Sequence, residues 1–124
     1  MARYSNHLPL EGTQLVEVRG GRPRLSFDDP KHSVLDIHGE FHVRASGAES
    51  YFSPLEPGVV NVIESFLEVP IVSARADRHG QLRISFEDGR ELFVPDGPFE
   101  NWHYTNDEGL TVHGGVGRCV FVQR

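Results

Sequence analysis

A strand, a turn and a second strand in direct succession constrain the fold of this chain more than any other stretch. Over residues 81–87 the sequence alternates polar and apolar residues, so that three apolar side chains share one face: Leu82, Ile84 and Phe86. Asp88-Gly89 follows, a pair typical of tight hairpin turns because these turns need positive φ. Residues 91–94 then return as a short apolar strand. The stretch predicts an antiparallel hairpin with one buried face.

A fainter copy of this hairpin lies upstream. The sequence from Arg24 to Asp29 reads Arg-Leu-Ser-Phe-Asp-Asp, and the sequence from Arg83 to Asp88 reads Arg-Ile-Ser-Phe-Glu-Asp. In the short apolar strands that follow, Leu35 and Ile37 stand where Leu92 and Val94 stand. An internal duplication predicts a pseudo-symmetric pair of β-meanders with something bound between them. Ordinary β patterning predicts the same likeness between two amphipathic hairpins, and both interpretations stay open.

Between the two halves lies the one stretch with helical character. Ser53-Pro54-Leu55-Glu56 has the form of a capping box and predicts a helix near 54–68, although a start at Pro57 is an alternative. Four apolar residues fall at helical spacing and predict a stripe that packs on a sheet: Val59, Ile63, Phe66 and Leu67.

These elements predict one α+β domain over residues 1–124, mostly antiparallel β. Its expected parts are a loose N-terminal tail (1–12), a first β-meander (13–44), a helix (53–68) and a second β-meander (69–122). The 124 residues suffice for one core but not for two. Two apolar meander faces need a common core, with the helix covering one opening.

Charge and composition narrow the classes of partner. The net charge of −6 gives no reason to approach phosphate backbones, so nucleic acid is not an expected partner. No stretch approaches the ~20 apolar residues of a membrane span, and the chain opens with no signal-peptide core. We therefore expect a soluble, cytoplasmic protein with no membrane partner. Cys119 is the single cysteine, which excludes an intrachain disulfide and predicts a small core residue.

No motif for catalysis is present. The chain lacks a Gly-x-Ser-x-Gly elbow, and no serine is placed by pattern beside both a histidine and an acid. The glycines of residues 114–117 precede a predicted strand instead of a helix, so they do not form a phosphate loop. The sequence predicts no catalytic residue, no enzymatic activity and no cofactor.

Seven histidines invite a metal interpretation. In His38-Gly39-Glu40-Phe41-His42, a period of two places His38, Glu40 and His42 on one strand face, as three possible ligands. Gly39 favours a turn, which would destroy that alternation, and exposed His and Glu on a wet face need no ligand. The metal site is therefore an alternative prediction.

The segment from Phe99 to Tyr104 offers the candidate binding residues. Alternation places Glu100, Trp102 and Tyr104 on one face. If that face is core, Glu100 is drawn inward and needs a donor such as Arg83, Arg90 or turn amides. If it is exposed, an acid beside Trp and Tyr is a typical hot spot for a protein partner.

From Val69 to Val122 the sequence resembles a family of small, uncharacterised, mostly actinobacterial domains. The shared pattern is Gly-x-Leu-x-Leu-x-Phe-x-Asp-Gly, then Leu-x-Val, an aromatic-Glu-x-Trp segment and a Gly-Gly pair. The matching residues are Gly80, Leu82, Ile84, Phe86, Asp88, Gly89, Leu92, Val94, Phe99, Glu100, Trp102, Gly114 and Gly115. This chain departs from the pattern at His113, where the family tends to have Pro, and it lacks the usual Trp at the end.

Similar Glu-x-Trp endings occur in small immunity proteins of bacterial toxin systems, and the resemblance implies inhibitor-like binding of a toxin. It implies no catalytic residue. The leading hypothesis is thus a non-enzymatic protein-binding domain, an immunity-type antitoxin that blocks its partner through an acidic, aromatic-bearing surface. The alternatives are a small-ligand or metal-binding β domain that uses His38, Glu40 and His42, and a structural homodimer formed through sheet edges.

Overall fold

The computed structural model describes residues 6–124, which form twelve strands and one short helix. The elements in chain order are β1 (Asn6–His7), β2 (Leu15–Arg19), β3 (Arg24–Phe27), β4 (Val34–Ile37), β5 (Phe41–Ala45), β6 (Ala48–Phe52), α1 (Val59–Glu64), β7 (Ile71–Ala76), β8 (Leu82–Phe86), β9 (Glu91–Val94), β10 (Glu100–Thr105), β11 (Leu110–Gly115) and β12 (Arg118–Gln123). The predicted fold class, mostly antiparallel β with one helix, is confirmed.

The strands form two six-stranded sheets in which neighbouring strands are antiparallel. Sheet 1 has the order β1-β7-β8-β9-β5-β6, and sheet 2 has the order β12-β11-β10-β4-β3-β2. The predicted hairpin is the β8–β9 pair of sheet 1, in which Leu82 lies opposite Val94. Its turn closes through the Phe86 N–H, which donates to the Arg90 carbonyl at 2.9 Å, and Gly89 adopts a φ of 90° inside it.

The two halves of the chain exchange strands between the sheets. β2, β3 and β4 lie in sheet 2, after which the chain crosses to sheet 1 and β5 pairs with β9. β7, β8 and β9 lie in sheet 1, after which the chain crosses to sheet 2 and β10 pairs with β4. The order β2-β3-β4-β10-β11 therefore matches the order β7-β8-β9-β5-β6. The sequence repeat is a repeat of topology, although each sheet contains strands of both halves.

Register fixes which residues occupy equivalent positions. Leu35 of β4 lies opposite Tyr104 of β10, and its counterpart Leu92 of β9 lies opposite Val43 of β5. Tyr104 thus corresponds to Val43. By the same register three further pairs are equivalent: Trp102 with Phe41, His103 with His42, and Asp36 with Phe93.

The core lies between the sheets and is continuous. Its largest fully buried side chains come from both halves and include Trp102, Tyr104, Phe41 and Phe66. The Trp102 indole Nε1–H donates to the Gly80 carbonyl at 2.9 Å, which ties β10 of sheet 2 to the β7–β8 turn of sheet 1. This bond satisfies the polar atom of a fully buried indole. Cys119 is half-buried and packs against the core.

The helix is shorter than predicted. Gly58 has a φ of 83°, a left-handed conformation that does not continue into a helix, and α1 starts at Val59. The capping-box contact exists, because the Ser53 N–H donates to Glu56 Oε1 at 2.6 Å, but it stabilises a turn before the helix. Of the four residues in the predicted stripe, Val59 and Ile63 of α1 and Phe66 beyond its end are buried, and Leu67 is partly buried against the core. Within residues 6–124 no helix has the length and apolarity to cross a membrane.

The prediction of a loose tail over residues 1–12 is wrong for residues 6–12, while residues 1–5 lie outside the described part of the chain. β1 pairs with β7, and the Leu8 N–H donates to the Ala74 carbonyl at 2.9 Å. Leu8 and Leu10 are buried in the core. Two buried leucines and backbone hydrogen bonds to β7 hold this segment, although its sequence shows no longer periodicity.

Candidate binding cleft

A β-bulge decides the orientation of the predicted binding residues. The register between β10 and β11 shifts between Glu100 and Trp102, so that Asn101 is an extra residue in β10. The bulge reverses the alternation: Trp102 and Tyr104 are fully buried, whereas the Glu100 side chain is 39% exposed on the outer face of sheet 2. The predicted common face of Glu100, Trp102 and Tyr104 is therefore wrong. Glu100 is on the surface, and its partners are not Arg83 or Arg90.

Three histidines surround Glu100. Its Oε1 lies 2.8 Å from Nδ1 of His103 and 4.0 Å from Nδ1 of His38, and its Oε2 lies 3.7 Å from Nδ1 of His113. The His103 and His113 rings stack with centroids 5.9 Å apart, as neighbours across β10 and β11. We call these four residues the imidazole cluster. About a third of each side chain is exposed, so the cluster is open to solvent and to ligands.

The imidazole cluster borders a cleft of about 650 Å³. Its walls are the β4–β5 connection on one side and the segment 95–101 on the other. The charged and titratable side chains that line it are Arg22, His38, Glu40, Asp96 and Glu100. Both walls are chain segments that cross from one sheet to the other, so the strand exchange creates the cleft.

Asn101 holds the two walls of the cleft together. Its backbone carbonyl accepts hydrogen bonds from the N–H groups of His38 at 2.7 Å and Gly39 at 3.1 Å, and its side-chain Nδ2 donates to the Pro95 carbonyl at 2.7 Å. A Cβ added to Gly39 or to Gly97 would lie within 2.6 Å of an Asn101 side-chain atom, so both positions require glycine. The sequence did not single out Asn101, because a bulge has no signature in an alternating pattern.

Two exposed apolar side chains lie at the rim. Phe99 is 77% exposed and lines the cleft, and Val116 is 63% exposed. The Val116 N–H donates to the Gly97 carbonyl at 2.7 Å, which holds the β11–β12 turn against the segment that precedes β10. The rim therefore combines a protruding aromatic ring with a neighbouring apolar turn.

The three alternative metal ligands do not form one group, because only Glu40 and His42 are neighbours. His38 faces Glu100 on sheet 2, whereas His42 lies on the outer face of sheet 1, where its ring centroid is 4.2 Å from that of Tyr51. Glu40 Oε1 is 3.7 Å from His42 Nε2. The alternation breaks because the chain crosses between sheets after β4. Nowhere in residues 6–124 do three or more His, Cys, Asp or Glu side chains form a group that could hold a metal ion.

The outer face of sheet 1 carries aromatic and basic side chains at the positions equivalent to the imidazole cluster. The Arg44 guanidinium lies 4.6 Å from the Phe93 ring centroid and pairs with Glu49 and Glu91. The hydrogen bond from Arg44 lowers the pKa of Glu49. Tyr51 is 63% exposed at the edge of this face. We call it the aromatic face. Arg44 and Arg83 of this face already have carboxylate partners, and Arg44, Glu49 and Glu91 line a smaller cavity of about 360 Å³.

Comparisons with known proteins place the chain in a family and nothing more. A model described as "Family of unknown function (DUF6188)" matches residues 6–118. Searches of curated proteins and of solved structures returned no match.

Proposed function

The chain belongs to this family of unknown function, and we propose that it is a non-enzymatic protein-binding domain whose partner docks at the cleft rim. The observation that carries the proposal is Phe99, a large aromatic side chain that is 77% exposed beside a cleft. Aromatic side chains dominate the energetics of protein interfaces, typically where an apolar anchor is ringed by polar groups. The cleft rim has this combination of an apolar anchor and polar neighbours, since Phe99 and Val116 lie beside Glu100 and Asp96.

The finer form of the proposal is an immunity-type antitoxin that blocks a toxin-like partner. The net charge of −6 and the acidic side chains of the cleft favour a basic partner. Trp102, which carried the resemblance to immunity proteins, lies in the core and cannot contact a partner. The support for an antitoxin therefore comes from the surface around Phe99 and Glu100.

The proposal is tested by co-expression with the protein encoded by the neighbouring gene. We expect the two proteins to co-purify as a stoichiometric complex that the Phe99→Ala variant fails to form. Leu55→Ala is the matched control, because Leu55 is 67% exposed but lies before α1, outside the cleft. A complex that survives Phe99→Ala and is lost in Leu55→Ala would refute docking at the cleft.

Self-association through β12 is a second candidate. β12 is an edge strand that pairs with β11 alone among the described strands, and its centre is apolar: Val120, Phe121 and Val122. Edges of this kind pair with other chains unless charge, proline or a bulge blocks them. Light scattering decides between the candidates. We expect a dimer that Val120→Lys converts to a monomer, and a monomeric parent protein would exclude this route.

A further inference from the structure

We infer that the cleft receives a cationic side chain of the partner, an arginine guanidinium or a lysine ammonium. This inference rests on the proposed function and specifies the chemistry of the partner. Phe99 would anchor an apolar side chain at the rim, while the adjacent cleft binds the charged group.

The charges that line the cleft favour a cation. Glu40, Asp96 and Glu100 supply three carboxylates against the single guanidinium of Arg22, a formal charge of −2 while the histidines are neutral. Asp96 uses Oδ1 to accept the Gly117 N–H at 2.9 Å, which leaves Oδ2 available. The Glu40 side chain is 65% exposed, so it can reorient toward a ligand at small cost.

Asn101 provides an independent sign of a missing hydrogen-bond donor. The residue is only 8% exposed and lines the cleft. Its Nδ2 donates to Pro95, but its Oδ1 accepts no hydrogen bond from any residue of the described chain, 6–124. Buried carbonyl oxygens are normally paired. A guanidinium or an ammonium supplies donors and no acceptor, and therefore matches both the carboxylates and this oxygen.

The test is an NMR titration of the full chain with a capped arginine, N-acetyl-arginine-N-methylamide, and with the isosteric but uncharged capped citrulline. At pH 7.5 we expect the arginine probe to shift the amide signals of Gly39, Gly97 and Asn101, and the citrulline probe to leave them unchanged. Glu40→Gln should weaken binding and Arg22→Ala should strengthen it, each by about two- to fivefold, the range for exposed charge pairs. Both residues are exposed, so both variants should fold.

Equal shifts with both probes, or absence of shifts at these residues, would overturn the inference. Its failure is distinguishable from that of the proposed function. If Phe99→Ala abolishes the complex but capped arginine does not bind, only the cationic chemistry is wrong. If capped arginine binds but Phe99→Ala keeps the complex, the docking site is wrong.

Discussion

The outer faces of the two sheets occupy equivalent positions in the repeated topology and carry different chemistry. On sheet 2, His103 lies between Asp36 and His113 and faces Glu100. At the equivalent positions across the strands of sheet 1, His42 lies between Phe93 and Tyr51. The next residue across the strands is an arginine in both sheets, Arg24 beside Asp36 and Arg83 beside Phe93, and both arginines are part of the sequence repeat.

The bulge marks the difference between the faces. The β10–β11 ladder shifts register at Asn101, whereas the equivalent β5–β6 ladder runs without a shift from Phe41 to Ala45. Bulges are common beside functional sites because they reorient a side chain. Here the bulge turns Glu100 outward and places Asn101 in the cleft wall. The repeated framework is thus structural, and the candidate site is where one copy departs from the other.

The largest effect is expected where the two copies are most alike, in the core. Trp102→Ala should destabilise the protein by about 3–5 kcal/mol, because it leaves a cavity and removes the bond to the Gly80 carbonyl. Phe41→Ala, at the equivalent position, should cost a similar amount. Urea unfolding measures both. A loss below about 1 kcal/mol for Trp102→Ala would mean that Trp102 is not a core residue.

The cleft wall should be sensitive to single methyl groups. Gly97→Ala places a Cβ 2.5 Å from Asn101 Nδ2 and should cost about 1–3 kcal/mol while shifting the NMR signals of the cleft. Gly20→Ala is the matched control, because its nearest neighbour would be a Val60 methyl at an ordinary 3.7 Å. Thermal unfolding of the two variants gives the comparison. Equal stability of both would show that Asn101 does not fill the space between the walls.

The contributions of two equivalent residues to stability should differ at alkaline pH, because Tyr104 of sheet 2 can ionise and Val43 of sheet 1 cannot. Burial raises the pKa of Tyr104, partly offset by its hydrogen bond with Ser33 at 2.6 Å. The unfolded chain therefore ionises first, and stability falls as the pH rises above about 10. Tyr104→Phe should cost about 1 kcal/mol at pH 7 through the lost hydrogen bonds. It should also remove part of the alkaline decline in denaturant midpoint, and an unchanged decline would contradict the buried position of the hydroxyl.

The smallest effect is expected on the aromatic face. Arg44→Gln removes ion pairs with Glu49 and Glu91 on a partly exposed surface and should cost at most about 1 kcal/mol, less at high salt. Complex formation with the partner should be unaffected. If this variant loses the complex while Glu100→Gln retains it, the two faces have been assigned the wrong roles.

The individual hairpins and the buried face of the helix could be predicted from the sequence, because local patterns determine them. The alternation at Leu82, Ile84 and Phe86, with Asp88-Gly89 behind it, specifies the β8–β9 hairpin, and the helical stripe identified the buried residues of α1. The exchange of strands between sheets was not predictable, since pairing of β5 with β9 and of β10 with β4 is non-local.

The candidate site was less accessible to sequence reasoning. A one-residue bulge inverts the expected orientation of every side chain beyond it. Simple alternation therefore predicted that Glu100 shares a face with Trp102, whereas it shares the outer face of sheet 2 with His103. In the imidazole cluster, His103 and His113 are neighbours across the β10–β11 hairpin, whereas only the non-local pairing of β10 with β4 brings His38 beside Glu100. The metal interpretation of His38, Glu40 and His42 failed because the chain crosses between the sheets after β4.

We propose that a partner docks beside the cleft of sheet 2 and not on the aromatic face of sheet 1. Phe99 and Tyr51 are matched probes, exposed by 77% and 63% on the two faces. With the co-purified partner in hand, calorimetry should show that Phe99→Ala weakens the complex by about tenfold or more, as expected for a hot-spot residue, while Tyr51→Ala stays within about twofold of the parent. The reverse result, full affinity in Phe99→Ala and a tenfold loss in Tyr51→Ala, would contradict the account.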